Sequence, residues 1–188
     1  MLALTAYDTY VEKLFDTLKR FTVALSQAGI EYRVIGGMAV FLHVNERDTM
    51  AARLTNDIDV AVDRRDIGSI ARAVEPFGFT YRHVAGVDML VETAKPKARS
   101  AVHLIFVREK VRPEYLEPVP DFSPVTPTSD GVLIAPVADL VKMKLTSFRL
   151  KDRVHIQDMD GVGLITPEIE AGLLEALRQR LAEVRASE

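Results

Sequence analysis

Along residues 7–28, Tyr10, Leu14, Leu18, Phe21 and Leu25 recur at helical spacing, while Glu12, Lys13, Lys19 and Arg20 fall off that stripe. Such a repeat of three to four positions predicts an amphipathic surface helix, which Gly29 ends. A short apolar run at 32–35 predicts a strand. Gly36-Gly37 then punctuates the chain, and 38–43 reads as the start of a second helix. Residues 45–56 are polar and read as a loop. At 57–63 the period changes to two, with Ile58, Val60 and Val62 on one face and Asp57, Asp59 and Ala61 on the other, which predicts a strand. A helix is expected over 65–75, broken at Pro76 and Gly78. Residues 79–83 and 87–91 suit a hairpin across Ala85-Gly86, Lys95-Pro96-Lys97 a turn, and 101–107 an apolar strand.

The stretch 113–130 is rich in proline and polar residues and reads as an extended surface connection, with a further short strand at 132–134. Pro136 suits the first turn of a helix running to about 150, and a second helical stretch reaches 159. Thr166-Pro167 pairs a capping residue with proline at the first helical position. If the helix after Pro136 is continuous, Lys144, Phe148, Lys151 and His155 share one face. Leu140, Met143, Leu150 and Val154 then form the other, as core. This order predicts an α/β (α+β) fold, a mixed β-sheet flanked by helices. It reads as one domain over 1–188, with a sheet-containing core (1–135) and a helical C-terminal layer (136–188) sharing a cleft.

Composition narrows the chemistry. A chain of 188 residues, 48% hydrophobic and 27% charged, has the make-up of one globular domain. Its net charge of -3 gives no overall positive field to hold nucleic acid. With no cysteine, disulfides, thiolate zinc sites and a cysteine nucleophile are excluded. No signal peptide and no apolar run long enough for a membrane span is legible, so the expected location is cytoplasmic.

The informative stretch is Val34-Ile35-Gly36-Gly37 followed by Arg53-Leu54-Thr55-Asn56-Asp57-Ile58-Asp59-Val60. Glycines opening a helix let backbone amides approach a phosphate. Asp57 and Asp59, two apart on a strand, project to one face. Side-by-side carboxylates repel unless a hard dication joins them, and Mg²⁺ takes such oxygens together with phosphate oxygens. Phosphate-binding amides beside a metal-binding carboxylate pair suit phosphoryl or nucleotidyl transfer. Arg47 and Arg53, in the intervening segment, are candidate phosphate clamps.

Gly36-Gly37 and Asp57-x-Asp59, with Arg53-x-Thr55 just upstream, resemble the polymerase-beta-like nucleotidyltransferase superfamily, closest to its abortive-infection (AbiE-type) toxin branch. Residues 139–145 (DLVKMKL) and 148–152 (FRLKD) resemble that branch's C-terminal helical motif, in which a lysine and an aspartate face the nucleotide cleft. The likeness spans roughly 31–158. It implies a nucleotidyltransferase fold and transfer of a nucleoside monophosphate from a nucleoside triphosphate with Mg²⁺ or Mn²⁺. The implied acceptor is RNA, protein or a small molecule, and an antitoxin-like partner is implied too. The metal would sit on Asp57 and Asp59, and the nucleotide at Gly36, Gly37, Arg53, Thr55, Lys144 and Lys151.

The chain departs from the family pattern twice. The gap between the glycines and the first aspartate is longer than usual, and His103 stands where the family carries a third carboxylate. An imidazole there can act as base or ligand, or serve structurally by bonding Asp57 or Asp59. If a different strand is the match, Asp88 or Glu92 is the substitute. Two other functions compete. One is a catalytically impaired nucleotide-binding or protein-interaction module retaining the fold. The other is a metal-dependent phosphohydrolase using His43, His83, His103 and His155 with the aspartates.

Overall fold

The computed structural model describes residues 2–94 and 101–187, the side chains of 2–8 excepted; the turn expected at Lys95-Pro96-Lys97 lies outside them. Helix α1 (Leu2–Gln27) buries Leu14, Leu18, Phe21 and Leu25 as its spacing predicts. It stops at Gly29, whose φ of +64° suits a residue without a side chain. Strand β1 (Tyr32–Ile35) runs directly into α2 (Gly36–Arg47), so the helix reaches three residues into the segment expected as loop.

Strand β2 (Ile58–Val62) leads through a short 3₁₀ turn (Arg64–Asp66) into α3 (Ile67–Val74). A second 3₁₀ turn (Glu75–Phe77) and left-handed Gly78 return the chain to the sheet. Hairpin β3 (Phe79–Val84) and β4 (Val87–Glu92) turns at Ala85-Gly86, both at positive φ. Strand β5 (Val102–Phe106) completes a five-stranded sheet of order β1-β2-β5-β4-β3. It is mixed: β2 and β5 are parallel, and every other pair is antiparallel. The strand expected at 132–134 reduces to a single bridge, Val34 with Ile134, beside β1.

After β5 the chain runs without regular structure as far as α4 (Val137–Ser147). Next come α5 (Leu150–Gly161), α6 (Pro167–Ala171) and α7 (Glu175–Ala186). Thr166 caps α6 as its sequence predicts, accepting a hydrogen bond from the Ile169 amide. The expected continuous helix is corrected: Phe148, at φ +50°, breaks it between α4 and α5. Leu150 consequently lies 82% exposed instead of in the core. Phe148 turns away from Lys144 and packs under the guanidinium groups of Arg153 and Arg180. Helices α1 and α3 pack together. Helix α2 lies on β2 and against α4 and α5, and α7 rests on both of the latter. One buried cluster runs from Leu14 in α1 to Val184 in α7.

Candidate functional site

The two glycines are required by the protein's own side chains. Antiparallel register sets Ile35 opposite Asp59, so Gly36 backs directly onto that carboxylate. A Cβ on Gly36 would land on Asp59 Oδ2 and lie 3.0 Å from its Cβ and Cγ, and the residue also sits at φ +70°. A Cβ on Gly37 would lie 2.8 Å from Thr55 Oγ1 and 3.3 Å from His155 Cε1. The clearance read from sequence as room for a phosphate is therefore partly filled by Asp59, Thr55 and His155. Ile35 offers α2 no side-chain cap, so the positive end of the helix dipole is not neutralised by a capping group.

Asp57 precedes β2 and Asp59 lies within it; their side chains are 44% and 29% exposed. Thr55 Oγ1 accepts a hydrogen bond from the Asp57 amide at 3.3 Å, steadying the approach to the strand. Parallel pairing sets Asp59 beside His103, and Asp59 Oδ1 meets His103 Nδ1 at 3.2 Å. That hydrogen bond raises the imidazole above its ordinary pKa, against the opposing effect of burial. Lys151 Nζ lies 3.9 Å from Asp57 Oδ2.

Asp88 and Glu92 do not reach this place. Asp88 accepts from Tyr81 and meets His83, and Glu92 bonds Arg20 and Lys13, so neither is the substitute carboxylate. The strand carrying His103 is the one beside Asp59.

Helices α4 and α5 contribute a buried ionic cluster. Asp152 is fully buried, with Lys144 Nζ at 3.0 Å, Ser147 Oγ at 2.8 Å and Arg149 Nε at 2.7 Å. Burial alone would raise its pKa, but Arg149 and Lys144 hold it down at about 2. Burial pulls the Lys144 ammonium below its ordinary value, and Asp152 opposes that pull. Lys144 is therefore a buried, paired lysine, whereas Lys151 is half exposed. His155 is pushed down to about 4, first by burial and then by Lys144, so it is neutral at pH 7; its Nδ1 is buried without a partner. The break at Phe148 does not separate Lys144, Lys151 and His155. All three still border one cavity.

Two cavities meet at the carboxylates. One, of about 330 Å³, is bordered by Gly37, Arg53, Thr55, Val154 and His155. The other, of about 310 Å³, lies under the 111–119 segment and is bordered by Gly36, His103, Ile105, Tyr115, Glu117 and Met143. Asp57, Asp59, Lys144, Arg149 and Lys151 border both. The site is thus a bipartite cleft with two aspartates at the junction.

Of the residues read from sequence, Gly36, Gly37, Arg53, Thr55, Asp57, Asp59, His103, Lys144 and Lys151 all border this cleft. Arg53 also bonds Asp158 at 3.0 Å. Arg47, at the exposed end of α2, is not among the lining residues. His103 and His155 border the two cavities, whereas His43 lies on the Ala135 carbonyl and His83 on Asp88, away from the cleft. Among the described residues no group of three or more His, Asp or Glu is arranged to hold a metal ion. Sequence reasoning missed Arg149, Tyr115 and Glu117. Arg149 lies in the quoted 148–152 stretch, next to Phe148, so the signal was present; Tyr115 and Glu117 lie in a segment with no periodicity.

The antibiotic-resistance factor ANT(2″)-Ia, solved in solution, superposes with a TM-score of 0.52 at 13% identity, covering 97% of this chain and 95% of that one. The chain has the nucleotidyltransferase fold. A crystal structure of ANT(2″)-Ia in complex with adenylyl-2″-tobramycin aligns over 89% of this chain and 94% of the other, at 9% identity and a TM-score of 0.47. No protein-family profile and no curated protein matches the chain. Among the described residues, no helix is long and apolar enough to cross a membrane.

Proposed function

We propose that the chain is a metal-dependent nucleotidyltransferase that moves a nucleoside monophosphate from a nucleoside triphosphate to an acceptor hydroxyl. The observation that carries this reading is the position of Asp57 and Asp59 where two cavities join, beside the uncapped start of α2. A transferase needs two substrates to meet at one point, and nucleotidyl transfer needs negative charge screened there.

The donor set fits Mg²⁺ or Mn²⁺. Two partly exposed carboxylates supply hard oxygen ligands, leaving other positions to water and phosphate oxygens, which is how Mg²⁺ is usually held. When bound, the metal would supply Lewis-acid polarisation of the phosphates. The triphosphate is assigned to the side of Gly37, Arg53, Thr55 and Lys151, where the α2 amides and exposed cations attract anions. Lys144 acts there as a fixed buried charge, positioned by Asp152. The acceptor hydroxyl attacks the α-phosphorus, the α–β bridging P–O bond breaks, pyrophosphate leaves and the hydroxyl proton is lost. His103 is the nearest imidazole to the carboxylate pair, and its bond to Asp59 holds its orientation.

By the sequence resemblance the setting is an AbiE-type toxin acting on RNA, protein or a small molecule and paired with an antitoxin-like protein; the cytoplasmic location and the single unit over 1–188 are carried over from the reading of the chain itself. The competing reading, a binding module without turnover, is favoured by one observation. Both carboxylates already face a basic side chain, His103 and Lys151.

The deciding experiment is thermal unfolding with ATP, GTP, CTP and UTP, with and without Mg²⁺ or Mn²⁺. It is run on the wild type and on the Asp57→Asn, Asp59→Asn double variant. A nucleotide at a hundred times its Kd stabilises by about 2.7 kcal/mol. Metal-dependent stabilisation lost in the double variant supports the transferase site. Stabilisation without metal, unchanged in the variant, supports a nucleotide-binding module, and no stabilisation by any nucleotide sinks the transferase and favours a protein-interaction module.

A further inference from the structure

Two buried polar atoms with nothing to bond border the cavity under the 111–119 segment. Glu117 Oε2 and Thr146 Oγ1 are both shielded from solvent and lack hydrogen-bond partners, and both residues line that cavity. They come from different walls, Glu117 from the segment after β5 and Thr146 from the last turns of α4. An unpaired buried acceptor is costly, and more so when charged. Two facing one cavity call for an explanation beyond chance.

Glu117 is presented by an anchored segment. The Arg108 guanidinium bonds both Asp63 and Asp121. The Arg108 amide donates to the Val119 carbonyl at 2.8 Å, and the Val119 amide donates to Glu109 at 2.9 Å. The loop between is therefore clasped at its base. Tyr115, Val119, Leu140 and Met143 give the cavity an apolar wall, and its volume of about 310 Å³ suits a small molecule.

The charges are unequal. Each basic side chain bordering the cavity already faces a carboxylate: Arg112 faces Glu114, Lys144 and Arg149 face Asp152, Lys151 faces Asp57, and His103 faces Asp59. Glu117 Oε2 has no such partner. A carboxylate accepts and cannot donate, so what completes this cavity is a donor, and a positively charged one balances it best.

We propose that this cavity is the acceptor site for a small hydroxyl compound that also carries an ammonium group, with Glu117 Oε2 accepting from that nitrogen and the Thr146 hydroxyl bonding a second polar group. The word acceptor rests on the transferase reading; the ammonium site itself does not. A phosphodiester chain fits less well, because the unpartnered Glu117 carboxylate would repel it.

The test is isothermal titration with glucosamine and ethanolamine against their neutral counterparts, glucose and ethylene glycol. It uses wild type, Glu117→Gln, Glu117→Asp and Thr146→Val, with thermal stabilisation by ATP and Mg²⁺ measured alongside. The expected result is a preference of tenfold or more for each ammonium compound, collapsing to near parity in Glu117→Gln and retained in part in Glu117→Asp. Thr146→Val should weaken charged and neutral probes alike. Equal binding of charged and neutral probes by the wild type, a preference surviving Glu117→Gln, or no binding of any probe overturns the proposal. If the preference stands but ATP fails to stabilise, the ammonium site holds and the transferase reading fails. If ATP stabilises but the preference is absent, this proposal alone fails.

Discussion

His103 Nδ1 stands 3.2 Å from Asp59 Oδ1 because β2 and β5 run parallel with these two residues in register. The bond raises the imidazole pKa above its ordinary value. A group raised on folding contributes stability that is present below its unfolded pKa and is lost as pH rises through the folded one. In metal-free protein, His103→Gln should therefore be destabilising at pH 6 and much less so at pH 9. Urea denaturation at both values checks this. An equal cost at the two pH values would mean that the pair is uncharged.

His155 titrates in the opposite sense. Burial, with Lys144 adding, lowers its pKa to about 4. Between about 6.5 and 4 the unfolded chain therefore binds the proton more readily, and stability falls as pH is lowered through that window. His155→Gln should flatten the acid side of the stability profile between pH 7 and pH 5. A slope as steep as that of the wild type would assign the acid sensitivity to other groups.

Gly36→Ala should be the more damaging of the two glycine substitutions. It forces a Cβ onto the Asp59 carboxylate and holds alanine at φ +70°, a strain of about 1–2 kcal/mol before the clash is counted. Gly37→Ala meets a Thr55 side chain that is able to shift, at a lower cost. Thermal midpoints should drop by several degrees for Gly36→Ala and by less for Gly37→Ala. Metal-dependent nucleotide stabilisation should disappear in Gly36→Ala, because Asp59 is displaced.

The Lys144–Asp152 pair gives a third contrast. Both side chains are buried, so losing Asp152 leaves the Lys144 ammonium unpaired, at a cost of about 3–5 kcal/mol, whereas losing Lys144 leaves Asp152 with Arg149 and Ser147. Asp152→Leu should therefore be strongly destabilising, and Lys144→Met less so. The double variant Lys144→Met, Asp152→Leu should lose less than the sum of its parts, and guanidinium unfolding of all three closes the cycle. Additive losses would show that the pair is not coupled.

Arg108→Ala should loosen the 109–118 segment without unfolding the sheet, since the clasp to Asp63 and Asp121 lies at its base. Trypsin cleavage after Lys110 should accelerate severalfold relative to wild type, while the global unfolding midpoint moves by only a few degrees. Unchanged cleavage would show that the Arg108 amide and Val119 hold the segment without the guanidinium.

The sequence by itself determined the features that repeat or punctuate locally. The stripe of Leu14, Leu18, Phe21 and Leu25 set α1, the alternation from Ile58 to Val62 set β2, and Ala85-Gly86 placed the hairpin turn, because side-chain periodicity and positive φ are properties of short segments. The same local signals placed Gly36, Gly37, Asp57 and Asp59 where one strand end meets another. Tertiary structure alone decided what each polar residue faces. Phe148, at φ +50°, interrupts the helical spacing and sets its ring against Arg153 and Arg180, partners that lie beyond the local repeat. That break turned Lys144 inward onto Asp152 and left Leu150 in solvent. Glu117, in a segment with no period to read, reached the cleft only because Arg108 ties both ends of its loop down. The partners of a buried charge lie far apart in sequence, or across a bend in it, and no local pattern encodes that distance.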